Sequence, residues 1–149
     1  MSAYNLSSLN IMVVDDSVHM LRIVKTIFLA MGVTRVRYVS SVKEARAELL
    51  HMRPDIIITD WEMRPVDGLN FTRELRKEGG YFSRIPIILL TGHTEYERVM
   101  EAIQSGVSDV LAKPVSIEIL HRRLCRIVDL SSMSANEPML SGEEFLEIG

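Results

Sequence analysis

Ile56-Ile57-Ile58-Thr59-Asp60 is a short apolar run without polar alternation, and it ends on a carboxylate. A strand of this kind is buried on both faces, as at the centre of a parallel sheet covered by helices. Working outward, three further runs have the same form. Ile11-Met12-Val13-Val14 ends on Asp15-Asp16, Ile87-Ile88-Leu89-Leu90 on Thr91, and Val110-Leu111-Ala112 on Lys113-Pro114. As neighbouring parallel strands these runs would deliver their polar ends to one edge. Open α/β sheets bind ligands outside the carboxyl ends of their strands.

The segments between the runs read as helices. Ser17 is a suitable N-cap for a stripe of Val18, Leu21, Val24, Phe28 and Met31, with Gly32 as the stop. Ser41 caps a segment in which Val42, Ala45 and Leu49 point inward. Residues 69–77 read as a helix ended by Glu78-Gly79-Gly80. Thr94 is placed to cap a helix carrying Val99, Met100 and Ile103, and Ser116 one carrying Ile117, Leu120, Leu124 and Ile127. With strands at 10–14, 35–39, 56–59, 86–90 and 108–112, the pattern alternates five strands with five helices. Such alternation predicts an α/β fold, a five-stranded parallel sheet with helices on both faces.

The chain of 149 residues fits one domain of roughly 100–150 residues plus a tail. We expect an N-terminal extension at 1–8, a domain at 9–130 and a flexible tail at 131–149. A net charge of −3 asks for neither nucleic acid nor an anionic membrane. Cys125 stands alone, which excludes an internal disulfide or a thiolate metal cluster. The start of the chain lacks the basic and apolar regions of a signal peptide, and no stretch approaches the ~18–20 apolar residues of a membrane span. The expectation is a cytoplasmic protein.

The strand ends carry the chemistry. Asp60 is the candidate nucleophile, because a carboxylate that attacks phosphorus gives an aspartyl phosphate. An anion attacking an anion needs help. Asp15 and Asp16 offer oxygen ligands for Mg²⁺, which favours carboxylates, water and phosphate oxygens. Lys113 offers a point positive charge and Thr91 a hydroxyl donor. Crowded carboxylates repel, so at least one pKa should rise without metal. Taken singly, an Asp pair is an N-cap and Lys-Pro a turn entry. Their conjunction at successive strand ends points to phosphoryl chemistry.

Val13-Val14-Asp15-Asp16-Ser17, Asp60-Trp61-Glu62-Met63 with Asp67-Gly68-Leu69, Leu90-Thr91-Gly92, and Gly106-Val107-Ser108-Asp109 leading to Lys113-Pro114 resemble the motifs of response regulator receiver domains of two-component signalling. The best-studied single-domain members of that family are the chemotaxis response regulators. The resemblance covers residues 9–129 and implies a flavodoxin-like (βα)5 fold with strand order 2-1-3-4-5. It implies Asp60 as phosphoacceptor, Thr91 as switch hydroxyl and Lys113 as the family's lysine, with a cis Lys113–Pro114 peptide. It further implies Asp15, Asp16, Asp60 and the backbone carbonyl of Glu62 as Mg²⁺ ligands. A sensor histidine kinase or phosphotransfer protein would be the donor. A downstream protein would read the face formed by residues 94–130. The chain would signal, not turn over a metabolite.

Some positions depart from the pattern. Val110 stands where the family usually carries Tyr or Phe, three residues before the lysine. Met63-Arg64-Pro65 shifts the usual Met-Pro by one residue. Glu62 is acidic, and its side chain could reach the metal or interfere with the hydrolytic water; His93 is the other rim residue. Trp61 is expected to cover the rim partly, Cys125 to lie near the core, and His19 to be a surface residue near the rim. Arg122, Arg123 and Arg126 are expected to form a basic helix face. Two other readings use the same groups: a receiver serving as a phosphorylation-independent scaffold, and an aspartate-nucleophile phosphohydrolase of the haloacid dehalogenase type. In the latter the nucleophile comes before the acidic pair, whereas here Asp15-Asp16 precedes Asp60.

Overall fold

The computed structural model describes residues 6–131. Its elements in chain order are β1 (Ile11–Val14), α1 (Val18–Ala30), β2 (Val36–Val39), α2 (Val42–Leu49), β3 (Ile56–Asp60), α3 (Gly68–Glu78), α4 (Gly80–Arg84), β4 (Ile87–Thr91), α5 (Tyr96–Gln104), β5 (Asp109–Ala112) and α6 (Ile117–Ser131). A 3-10 turn, Leu6–Ser8, precedes β1. The five strands are parallel in the order β2-β1-β3-β4-β5, the flavodoxin-like arrangement.

The two-residue period of the strands sorts the core into two faces. Ile11, Val13, Ile58, Ile88, Leu90 and Leu111 pack with Val24 and Phe28 of α1 and with Leu120, Leu124 and Ile127 of α6. Met12, Val14, Ile57 and Ile87 pack with α2 and α3, and Leu89 and Val110 pack with Val99 and Ala102 of α5. Strands buried on both faces account for the unbroken apolar runs in the sequence. Leu6 is buried in the α1–α6 face, so the 3-10 turn packs onto the domain. The expected tail lies outside the described residues from 132 onward; Ser131 closes α6.

Ser17, Ser41 and Ser116 each accept a backbone N–H at the start of α1, α2 and α6. Thr94 does not cap α5. Glu95 occupies that position and makes no side-chain cap bond. Residues 92–97 are exposed, so water can satisfy the first N–H groups of the helix. The Gly79-Gly80 stop ends α3 but also starts the short α4, with both glycines at positive φ (76° and 59°). Val18, expected on the inward stripe, is 60% exposed. It is the first helical residue, and the packed part of the stripe begins a turn later.

The last helix corrects a further expectation. Arg123 is not on a solvated basic face: it is 3% exposed and donates from Nη1 to both carboxylate oxygens of the buried Asp109, at 2.7 and 2.9 Å. Its position explains this, because Leu120, Arg123, Leu124 and Ile127 share one helical stripe.

Candidate functional site

Strand register brings the site together. Val14 pairs with Thr59, so Asp15 and Asp60 leave β1 and β3 side by side. Asp60 pairs with Leu90, and Thr91 pairs with Ala112, so Thr91 and Lys113 follow at the adjoining strand ends. The backbone secures these ends: Trp61 N donates to Leu90 O at 2.9 Å and Lys113 N to Thr91 O at 2.8 Å.

Asp15 and Asp60 are buried, whereas Asp16 is exposed. Each of the three can bring a carboxylate oxygen within 4.8 Å of the others. Lys113 Nζ donates to Asp60 Oδ1 at 2.7 Å and pairs with Asp15 Oδ2 at 3.5 Å. Asp15 Oδ1 accepts the Ser17 N–H at 2.9 Å, but the buried Oδ2 has no hydrogen-bond donor. Burial pushes the Asp15 carboxyl above its ordinary value, against the pull of the Ser17 amide and Lys113. Burial likewise raises Asp60; the Lys113 bond opposes this and the Asp15 charge adds to it. Burial alone would lower Lys113, but its bond to Asp60 and the Asp15 charge outweigh that and raise it.

Buried, crowded carboxylates and an oxygen without a donor fit a hard divalent cation with oxygen ligands. Asp15, Asp16 and Asp60 could hold it.

Gly68 lets the chain pass close behind Asp60. A Cβ there would lie 2.3 Å from the Asp60 carbonyl oxygen. The Gly68 N–H donates to Trp61 O at 2.9 Å, and Asp67 caps α3 through the Asn70 N–H. The Arg64–Pro65 and Lys113–Pro114 peptides are both cis.

Thr91 is fully buried. Its hydroxyl donates to Glu62 Oε2 at 2.7 Å and accepts the His93 N–H at 3.0 Å. The Glu62 side chain thus faces Thr91, and the same Oε2 also accepts from Arg98 Nη2. The Arg98 guanidinium lies 3.8 Å from the centre of the Trp61 ring. Trp61 does not sit on the rim as expected but is buried with Leu69, Val99 and Val110. The indole is large and apolar, and α5 supplies a surface for it. His19 and His93 are exposed, and Cys125 is partly buried against the α1–α6 face. Sequence reading did not find Arg98: it meets Glu62 across 36 positions, and no local spacing announces such a pair. Arg123 did carry a signal, its place on the apolar stripe of α6.

Residues 11–125 match the family described as the response regulator receiver domain. Chemotaxis protein CheY1 of Helicobacter pylori is 31% identical over 117 residues, covering 78% of this chain and 94% of that protein. Chemotaxis protein CheY of Pseudomonas aeruginosa is 26% identical over 121 residues, covering 81% and 97%. The solved structure of the chemotaxis response regulator CheY4 of Vibrio cholerae superimposes with a TM-score of 0.72 at 29% identity, covering 79% of this chain and 97% of that one.

Proposed function

The chain belongs to the response regulator receiver domain family, and from that premise we propose that it is a response regulator receiver phosphorylated on Asp60. A histidine kinase or histidine phosphotransfer protein is the donor, and a downstream protein reads the result. The observation that carries this reading is the pairing of buried Asp60 with Lys113 at 2.7 Å, beside an Asp15 oxygen that lacks a donor.

In the reaction an Asp60 oxygen forms a bond to phosphorus while the phosphorus–nitrogen bond of the donor phosphohistidine breaks. The bonding electrons leave on the imidazole nitrogen. Lys113 holds the carboxylate in place and then meets a phosphoryl oxygen with its positive charge. Thr91 donates its hydroxyl hydrogen to another phosphoryl oxygen. Mg²⁺, held by Asp15, Asp16, Asp60 and the Glu62 backbone carbonyl, supplies when bound the charge that offsets the phosphoryl oxygens. The new anion biases a two-state surface, and we assign the output to residues 94–130.

We assign 9–130 to the receiver unit, with Leu6 as an added contact, and place the protein in the cytoplasm. No described helix is long and apolar enough to cross a membrane. The chain acts on its own phosphorylation and dephosphorylation and turns over no separate substrate. Chemotaxis fits as a pathway, since all three of the similar proteins above are chemotaxis proteins. Family membership sets aside the phosphohydrolase reading.

The test is intact mass after incubation with Mg²⁺ and acetyl phosphate. Wild type is expected to gain one phosphoryl group and Asp60→Asn none. An adduct that persists in Asp60→Asn refutes the assignment. Partner binding that is unchanged by Asp60→Asn would mark a phosphorylation-independent scaffold instead.

A further inference from the structure

Glu62 Oε2 is shared. It accepts the Thr91 hydroxyl at 2.7 Å and also a hydrogen of the Arg98 guanidinium. A threonine hydroxyl has a single hydrogen to give. While Glu62 holds it, Thr91 has none for a phosphoryl oxygen on Asp60. Capture of the phosphoryl group therefore requires the Thr91–Glu62 bond to break. Breaking it gives up one hydrogen bond to a charged acceptor.

Arg98 changes that cost. It stays on the same oxygen when Thr91 leaves, and its guanidinium is seated over the Trp61 ring 3.8 Å away. Its charge also draws on the electron density that Oε2 offers the hydroxyl. Val110 leaves the nearby interior position filled by an aliphatic side chain, packed with Leu89, Val99 and Ala102. The polar route from Thr91 to α5 among these residues runs through Glu62 and Arg98.

We propose that Glu62 is the resting acceptor of the Thr91 hydroxyl and that Arg98 is a positioning residue that eases its release. This rests on the reading that Thr91 meets a phosphoryl group on Asp60. The two residues thus act in opposite senses on phosphoryl capture, although they form one ion pair. Glu62 restrains Thr91, and Arg98 weakens the restraint.

The signs separate this from a pair that merely pins the loop after β3. The experiment measures the rate of adduct formation with Mg²⁺ and acetyl phosphate in wild type, Glu62→Ala, Arg98→Met and the double variant. Methionine keeps an apolar stem over Trp61, and Glu62 is exposed, so both variants retain the core. Glu62→Ala is expected to speed capture about fivefold and Arg98→Met to slow it about fivefold, the scale of a modest change in one charged hydrogen bond. Arg98→Met should have no further effect once Glu62 is absent. Changes of the same sign, or an Arg98 effect that survives Glu62→Ala, overturn the proposal.

A second readout needs no phosphoryl group. The His93 N–H donates to Thr91 Oγ1 at 3.0 Å, so its hydrogen exchange reports whether that oxygen stays in place. Protection should rise in Arg98→Met and fall in Glu62→Ala. If wild type forms no adduct on Asp60 but these opposed shifts appear, the phosphoacceptor reading fails and the Thr91–Glu62–Arg98 linkage stands. If an adduct forms and the shifts are absent or of one sign, the linkage fails and the reading stands.

Discussion

Lys113 Nζ sits 2.7 Å from Asp60 Oδ1 and has only one further carboxylate within ion-pair reach among the described residues, Asp15 at 3.5 Å. One half-buried ammonium therefore serves two buried carboxylates. Replacing it by methionine leaves both without a counter-charge. Lys113→Met is expected to lower stability in metal-free buffer at neutral pH by about 1–3 kcal/mol, below the cost of a fully buried pair because Lys113 retains some solvent contact. A urea melt checks this, and an unchanged midpoint would mean that water replaces the ammonium.

Divalent metal should stabilise the folded chain. At roughly 100 times its dissociation constant a ligand that binds only the folded state adds about 2.7 kcal/mol. Mg²⁺ is expected to raise the melting temperature of wild type and to leave Asp15→Asn unmoved. Asparagine keeps an acceptor for the Ser17 N–H but removes a charge whose burial is unfavourable. The metal-free variant is therefore expected to be more stable than metal-free wild type. Thermal melts with and without Mg²⁺ read both effects, and a variant that still responds to Mg²⁺ would remove Asp15 from the ligand set.

Gly68→Ala tests the close approach behind Asp60. The added methyl would meet the Asp60 carbonyl oxygen at 2.3 Å and Leu89 Cδ2 at 3.0 Å. The backbone must shift, at a cost of about 1–3 kcal/mol. Because the oxygen belongs to Asp60 itself, phosphoryl capture should fall along with stability. A variant as stable as wild type would show that the loop yields freely.

Asp109 and Arg123 form the most enclosed ion pair described, tying β5 to α6. Arg123→Met strands a buried carboxylate and is expected to cost about 3–5 kcal/mol. Asp109→Asn in the same background removes that charge and should recover part of the loss. Denaturant melts of the two single variants and the double variant give the coupling. Additive losses would mean that the two side chains do not depend on each other.

Tyr81 supplies a pH dependence. Its hydroxyl donates to the Pro54 carbonyl, and burial, with the Asp55 charge, pushes its pKa from 10.0 up to about 12. The folded state thus holds this proton more tightly than the unfolded state. The contribution to stability is complete below pH 10 and is lost as pH rises through about 12. Tyr81→Phe should flatten that part of the alkaline stability curve and should lower stability at neutral pH by about 1 kcal/mol through the missing bond. An alkaline slope equal to that of wild type would assign it to another group.

Much of the fold was legible in the sequence because its signals are local. Unbroken apolar runs reported strands covered on both faces, and serine caps reported three helix starts through hydrogen bonds that span three residues. The order of polar residues at the strand ends was enough to nominate Asp15, Asp16, Asp60, Thr91 and Lys113 as one cluster. It could not say how they meet. That Lys113 bonds Asp60 more closely than Asp15, and that one Asp15 oxygen lacks a donor, follows from strand register and side-chain direction.

What only the tertiary structure decided lies where distant segments share a partner. Glu62 looked like a free acidic group near the metal position, yet its carboxylate is engaged by Thr91 and Arg98 from two other elements. Trp61 looked like a rim residue until α5 supplied a buried surface for its ring. Arg123 looked like part of a basic face because charge is read residue by residue, whereas its burial depends on Asp109 waiting across the interface. A residue's own chemistry and its neighbours along the chain determine which element it joins and what it can donate or accept. Which donor it finds is set by packing between elements, and no spacing within one segment carries that information.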